Sequence, residues 1–115
     1  MSSTTEIPDR YKLVFFVPPS HIEACKEAIF ATGAGSFPGG TYTKAFFETR
    51  GTSQFLPNEG AVPTIGTVGV VEQLEEVKGE VMCVGREVMR NAVQALIKAH
   101  PYEVVAYEVY RMENE

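Results

Sequence analysis

Two histidines and two cysteines are all the imidazole and thiol chemistry that the 115 residues contain. No His-x-His, HExxH or paired-cysteine motif occurs, so the ligand spacing of a zinc or di-iron centre is missing and neither metal nor cofactor is expected. Cys25 and Cys83 fall inside apolar periodic segments without CxxC spacing. They read as buried free thiols, not as a disulfide framework. A GxSxG elbow is absent too, and nothing couples either cysteine to a histidine, so no catalytic residue is assigned. No stretch approaches 18 apolar residues, and the N-terminal MSSTTEIPDR lacks a basic region followed by an apolar run. Neither a membrane span nor a signal peptide is expected, which implies a cytoplasmic location. Basic residues number 10 against 15 acidic ones, for a formal charge of −5. That balance argues against nucleic acid or an anionic membrane surface as partner.

What remains is an ordinary globular composition, 44% hydrophobic and 22% charged, of a size that fits one domain. A chain this short buries only about two-thirds of the surface its unfolded form exposes, so association with further copies would help it. Residues 1–10 are polar and aperiodic and read as a flexible tail, as do residues 113–115. The domain is expected over residues 11–112. It opens with YKLVFFV, an aromatic and β-branched run closed by Pro18 and Pro19, which predicts a buried strand. Ser20 and Glu23 form an S-x-x-E capping box ahead of a helix whose apolar stripe is Ile22, Cys25, Ala28 and Ile29, ended by Gly33 and Gly35.

A strand is expected from Tyr42 to Thr49, reaching Arg50 and Gly51; Thr52–Leu56 could return beside it as a hairpin extension of the same element. Residues 57–69 are punctuated by Pro and Gly and predict a long ordered loop, a place where function often resides. Another strand spans about Glu75 to Val84. A second helix over Arg86–Ala99 carries Met89, Ala92, Val93 and Leu96 on one stripe and stops before Pro101. Tyr102–Arg111 forms the last strand. The order is β-α-β-β-α-β, an α+β ferredoxin-like domain with an antiparallel sheet. Both helices of that unit cover one sheet face, yet the first and last strands are apolar on both sides. A homo-oligomer packed sheet to sheet is therefore expected.

Glycine-rich stretches at 33–40 and 60–69 could present amides to an anion, although no P-loop or dinucleotide fingerprint is present. Lys44, Arg50 and the loop 57–69 are the place where a small anionic ligand is expected to meet the domain. In AHPYEVVAYEVY, residues 99–110, His100 can cap helix carbonyls, Pro101 stops the helix and Tyr102 enters a strand. His100 and Glu103 could also pair at a subunit junction.

The run HPYEVVAYEVY resembles the HPYEE-x-AYD-x-Y ending of the YqfO group in the Nif-three-like family, and FLPNEGAVPTIGTVG resembles its F-x-P-x-x-GA-x-P-x-IG-x-x-G loop. KLVFFVP with its helix and GAGSFPGGTY extend the likeness over residues 11–112. The resemblance is to the inserted PII-like or CutA-like domain and not to the flanking body, where that family's two-metal centre belongs. It implies oligomers, trimers foremost, with ligands in clefts between subunits. Tyr42, Lys44, Gly60, Pro63, Gly66, His100, Tyr102 and Glu103 become the candidate ligand-binding residues, with Ile65 helping to shape the loop. Ala45 and Ser53 depart from a cysteine and a glycine common in that family. The function implied is a non-enzymatic ligand-binding or regulatory module. The alternative is a metal-dependent protein or enzyme, including a domain like the PII-like regulatory one of ATP phosphoribosyltransferase.

Overall fold

A computed structural model describes residues 8–115. The expected N-terminal tail falls mostly on residues 1–7, outside the described residues. The elements are β1 (Arg10–Val17), α1 (Ile22–Phe30), β2 (Phe47–Phe55), β3 (Glu72–Val84), α2 (Arg86–Ala99) and β4 (Tyr107–Met112). They form one antiparallel sheet in the order β2-β3-β1-β4, with each pair antiparallel. This is the βαββαβ arrangement expected from the sequence.

Alternation along β1 decides which face holds the core. Tyr11, Leu13, Phe15 and Val17 lie opposite Cys83, Val81, Gly79 and Val77 on β3. All but Gly79 join one buried cluster with Ile22, Cys25 and Ile29 of α1 and Ala92, Val93 and Leu96 of α2. Both helices therefore cover this face, since each has an apolar stripe to bury. At Gly79 the packing leaves no room for a side chain. A Cβ there would meet Phe46 at 2.6 Å and Phe15 at 2.8 Å. Phe46 fills that space, edge-on to both Phe15 and Phe30 at 5.9 Å, and lies under the Lys26 ammonium. The 31–46 connection is thus anchored on the inner face before β2 begins.

Several local expectations are corrected. Ser20 caps no helix: a 3₁₀ turn over Pro19–His21 precedes α1, the residue at its N-cap is His21, and Ser20 Oγ bonds His21 Nδ1 at 2.9 Å. Consecutive prolines favour that tighter entry. The strand expected from Tyr42 starts only at Phe47, because residues 36–46 turn back on themselves through Phe37 N–H donating to Tyr42 O at 2.9 Å. Thr52–Phe55 does not return as a hairpin partner but continues β2, pairing with Glu72–Glu75 of β3. The last strand begins at Tyr107, five residues after the expected Tyr102. Glu113 and Asn114, expected as tail, bond Arg10 at 2.8 Å each.

β1 reaches only as far as Val17 opposite Val77, whereas β2 and β3 stay paired out to Phe55 and Glu72. The ribbon therefore projects past the sheet, and the molecule measures 60 × 23 × 23 Å. No helix among the described residues is long and apolar enough to cross a membrane.

Two outcomes follow from this packing. Gly79→Ala should lower the unfolding free energy by about 2 kcal/mol, read from the urea midpoint, because two rings must move aside. Burial pushes the Cys25 and Cys83 thiols up to about 11. Ellman's reagent should then label the native protein far more slowly than the urea-unfolded chain.

Candidate functional site

The site begins where α2 stops. His100 is its C-cap, with extended backbone at φ −77° and ψ 140°, as a residue before proline prefers. Its imidazole is almost wholly buried, at 6% exposure. Nε2 lies 2.7 Å from the Phe16 carbonyl oxygen, and Nδ1 lies 3.2 Å from the Tyr102 backbone nitrogen. A carbonyl only accepts and an amide N–H only donates, so Nε2 carries the proton and Nδ1 accepts. The geometry specifies neutral imidazole in one tautomer. Burial, opposed by the Phe16 bond and the Glu76 charge, holds its pKa below the usual histidine value.

This ring orients the segment that follows. Tyr102 packs against it, with centroids 4.9 Å apart. The Tyr102 hydroxyl is buried and has no hydrogen-bond partner among the described residues. Burial first, and the nearby Glu76 carboxylate second, push its pKa up to about 12. Glu103 turns outward to the β2–β3 loop, where Oε1 accepts the Val62 N–H at 2.9 Å. Thr64 Oγ1 donates to the Pro101 carbonyl at 3.1 Å. These two bonds fasten the loop to the chain after α2. The loop closes on itself through Gly69 N–H donating to Pro57 O at 2.8 Å. Gly60 and Gly66 make its tight bends at φ +100° and +98°, a region that residues with a Cβ enter only at a cost.

Between loop and segment lies a pocket of about 510 Å³. Its apolar wall includes Phe16, Phe55, Pro63, Ile65 and Val104, and its acidic residues are Glu59, Glu76 and Glu103. No lysine, arginine or histidine lines it. Among the described residues no three His, Cys, Asp or Glu side chains are placed to hold a metal ion together.

Of the residues singled out in the sequence, Pro63, Tyr102 and Glu103 line this pocket, Gly60 and Gly66 shape its loop, and His100 stands behind Tyr102. His100 and Glu103 do not pair; each has a different partner. Tyr42 and Lys44 belong to the 36–46 turn and line no part of it, with Tyr42 packed against Phe37. Arg50 borders a smaller neighbouring depression with Lys78. A small anion therefore finds no cationic side chain in the larger pocket. Sequence reasoning did not single out Glu76, which falls inside the strand expected over Glu75–Val84, or Phe16, whose place on the second apolar face of the first strand was the available signal.

The pH dependence has a definite sign. Because folding lowers the His100 pKa, the native state binds fewer protons than the unfolded chain once the pH drops below 6.5. The stability carried by the neutral ring is complete above that value and is lost as the pH falls through the folded pKa. Glu76 and His21 act on the ring from neighbouring elements and are common to both proteins compared. Urea unfolding from pH 7 to about pH 5 should show a steeper loss for the natural chain than for His100→Gln.

No family model matches the chain. Over 113 residues it is 42% identical to a Halalkalibacterium halodurans protein named GTP cyclohydrolase 1 type 2 homolog, covering 98% of this chain and 29% of that protein. The Bacillus subtilis protein of the same name is 38% identical over 103 residues, which are 90% of this chain and 27% of that one. Among solved structures, a Bacillus cereus protein related to NIF3 superposes with a TM-score of 0.80 at 36% identity, over 96% of this chain and 27% of that one. CutA from Archaeoglobus fulgidus gives 0.65 at 12% identity over 92% and 86%, and Bacillus subtilis GlnK with ATP gives 0.54 at 15% over 91% and 84%. The chain spans under a third of the length of the curated relatives it matches. It is thus homologous, along nearly its whole length, to one segment of the NIF3-related YqfO proteins, a segment with the fold of PII and CutA proteins.

Proposed function

We propose that the chain is a non-enzymatic, small-ligand-binding or regulatory module of PII-like design, acting as a homo-oligomer, with its ligand held between the β2–β3 loop and residues 102–106. The observation that carries this reading is the latch formed by Glu103 on Val62 and Thr64 on Pro101, which builds a pocket from segments 41 and 37 residues apart. A pocket of about 510 Å³ lies in the usual range for small-molecule sites. The catalytic readings lack a footing beside it: the only histidine here is committed to two structural bonds, and the cysteines lie in the core.

Oligomerisation draws on the sheet face away from the helices. Val14 and Phe16 stand there with Phe47, Met82 and Tyr110, interspersed with Lys12, Lys78, Glu80 and Glu108. Phe47 and Tyr110 are 65% and 54% exposed. A trimer is the assembly to which the PII and CutA resemblance points.

Two measurements test the reading. Light scattering at micromolar concentration should return a multiple of the 12.7 kDa chain mass, three being expected; a monomer mass overturns the oligomer. Glu103→Ala should release the Val62 N–H and speed hydrogen exchange across residues 60–65, leaving exchange in β1 and β3 unchanged. Unaltered loop exchange would remove the latch from the account.

A further inference from the structure

The pocket contains a nearly buried glutamate that forms no ion pair among the described residues. Glu76 alternates with the core residue Val77, so it points to the opposite sheet face, yet it is only 7% exposed. Its neighbour Glu75 pairs with Arg50 at 3.7 Å, whereas Glu76 forms no ion pair among the described residues. Arg50 and Lys78 border the adjoining depression with it, but neither pairs with it. Buried carboxylates are ordinarily matched by a cation or by several donors, because desolvation of the charge is otherwise uncompensated. Beside it stands the buried Tyr102 hydroxyl, near enough to Glu76 for that carboxylate to raise its pKa, yet meeting no partner at full hydrogen-bond geometry among the described residues. Both groups line the same pocket.

The remaining lining narrows what would complete them. With Glu59 and Glu103 also present and no basic side chain, the pocket repels anions. A bare metal ion is poorly served, because no three His, Cys, Asp or Glu side chains among the described residues are placed to share one and Glu103 already accepts from Val62. The wall of Phe16, Phe55, Pro63, Ile65 and Val104 suits an apolar or aromatic body, and aromatic faces favour a cation lying against them. We propose that the pocket selects a small organic cation, a protonated amine or guanidine on an apolar or aromatic body, with Glu76 and Tyr102 as its recognition groups. The inference rests on the pocket being the binding site, as proposed above, and adds the charge class of its occupant.

The test is a titration of the full chain, labelled with nitrogen-15, with the matched probes phenethylamine, phenylethanol and phenylpropionate and with butylguanidine. Phenethylamine and butylguanidine should shift amides of residues 53–65 and 102–106 saturably. Phenethylamine should bind about tenfold more tightly than phenylethanol, the scale of a charge-assisted hydrogen bond. Glu76→Gln should abolish that preference while Glu76→Asp retains part of it, and the dispersion of each spectrum reports folding independently. Tyr102→Phe should weaken phenethylamine severalfold. If phenylethanol or phenylpropionate binds the same amides as well as the cation, the charge class is overturned and the pocket stands as the site. If no probe moves those amides, both readings fall together.

Discussion

A buried imidazole with one permitted proton arrangement ties together the end of the domain that carries the pocket. His100 donates from Nε2 to the end of β1 and accepts at Nδ1 from the chain leaving α2. Any rotation or protonation of the ring would sacrifice one of these bonds inside a nearly dry environment, where an unmet polar group is costly. The position of Tyr102 follows from this, and Glu103 and Pro101 are thereby presented to the loop.

The same end of the molecule shows how an antiparallel sheet can carry a pocket without placing it in the core. β1 stops at Val17 while β2 and β3 continue, so their ribbon lacks a third strand over its outer half. A two-stranded ribbon is marginal alone. Here it is steadied by the loop folding back on residues 101–104, and the space left under that fold is the pocket. The core beneath is indifferent to this. Phe46 over Gly79 and the two helical stripes close it from the other face.

Most of the frame was legible because it depends on short-range patterns. Three- and four-residue spacing marked Ile22, Cys25 and Ile29, and it marked Ala92, Val93 and Leu96; period two marked Leu13, Phe15 and Val17, all of them in the core. Pro101 halted α2 at the expected place. Expectations failed where a local preference competed with contacts made elsewhere. Ser20 has the right spacing for a cap, but the prolines before it impose a tighter turn. Residues 102–106 have β-branched composition and even a plausible alternation, yet they bend to serve His100 and the loop, and strand pairing resumes at Tyr107.

By itself the sequence determined the βαββαβ order, the buried thiols and the helix stop, because each rests on residue type and spacing within a few turns or strands. Only the tertiary structure decided the tautomer of His100, the burial of Glu76 and the exclusion of Lys44 from the pocket. The reason is physical: those properties are set by partners far away in the chain, a Phe16 carbonyl 84 residues distant being one, and a backbone oxygen leaves no mark on the identity of the residue that carries it.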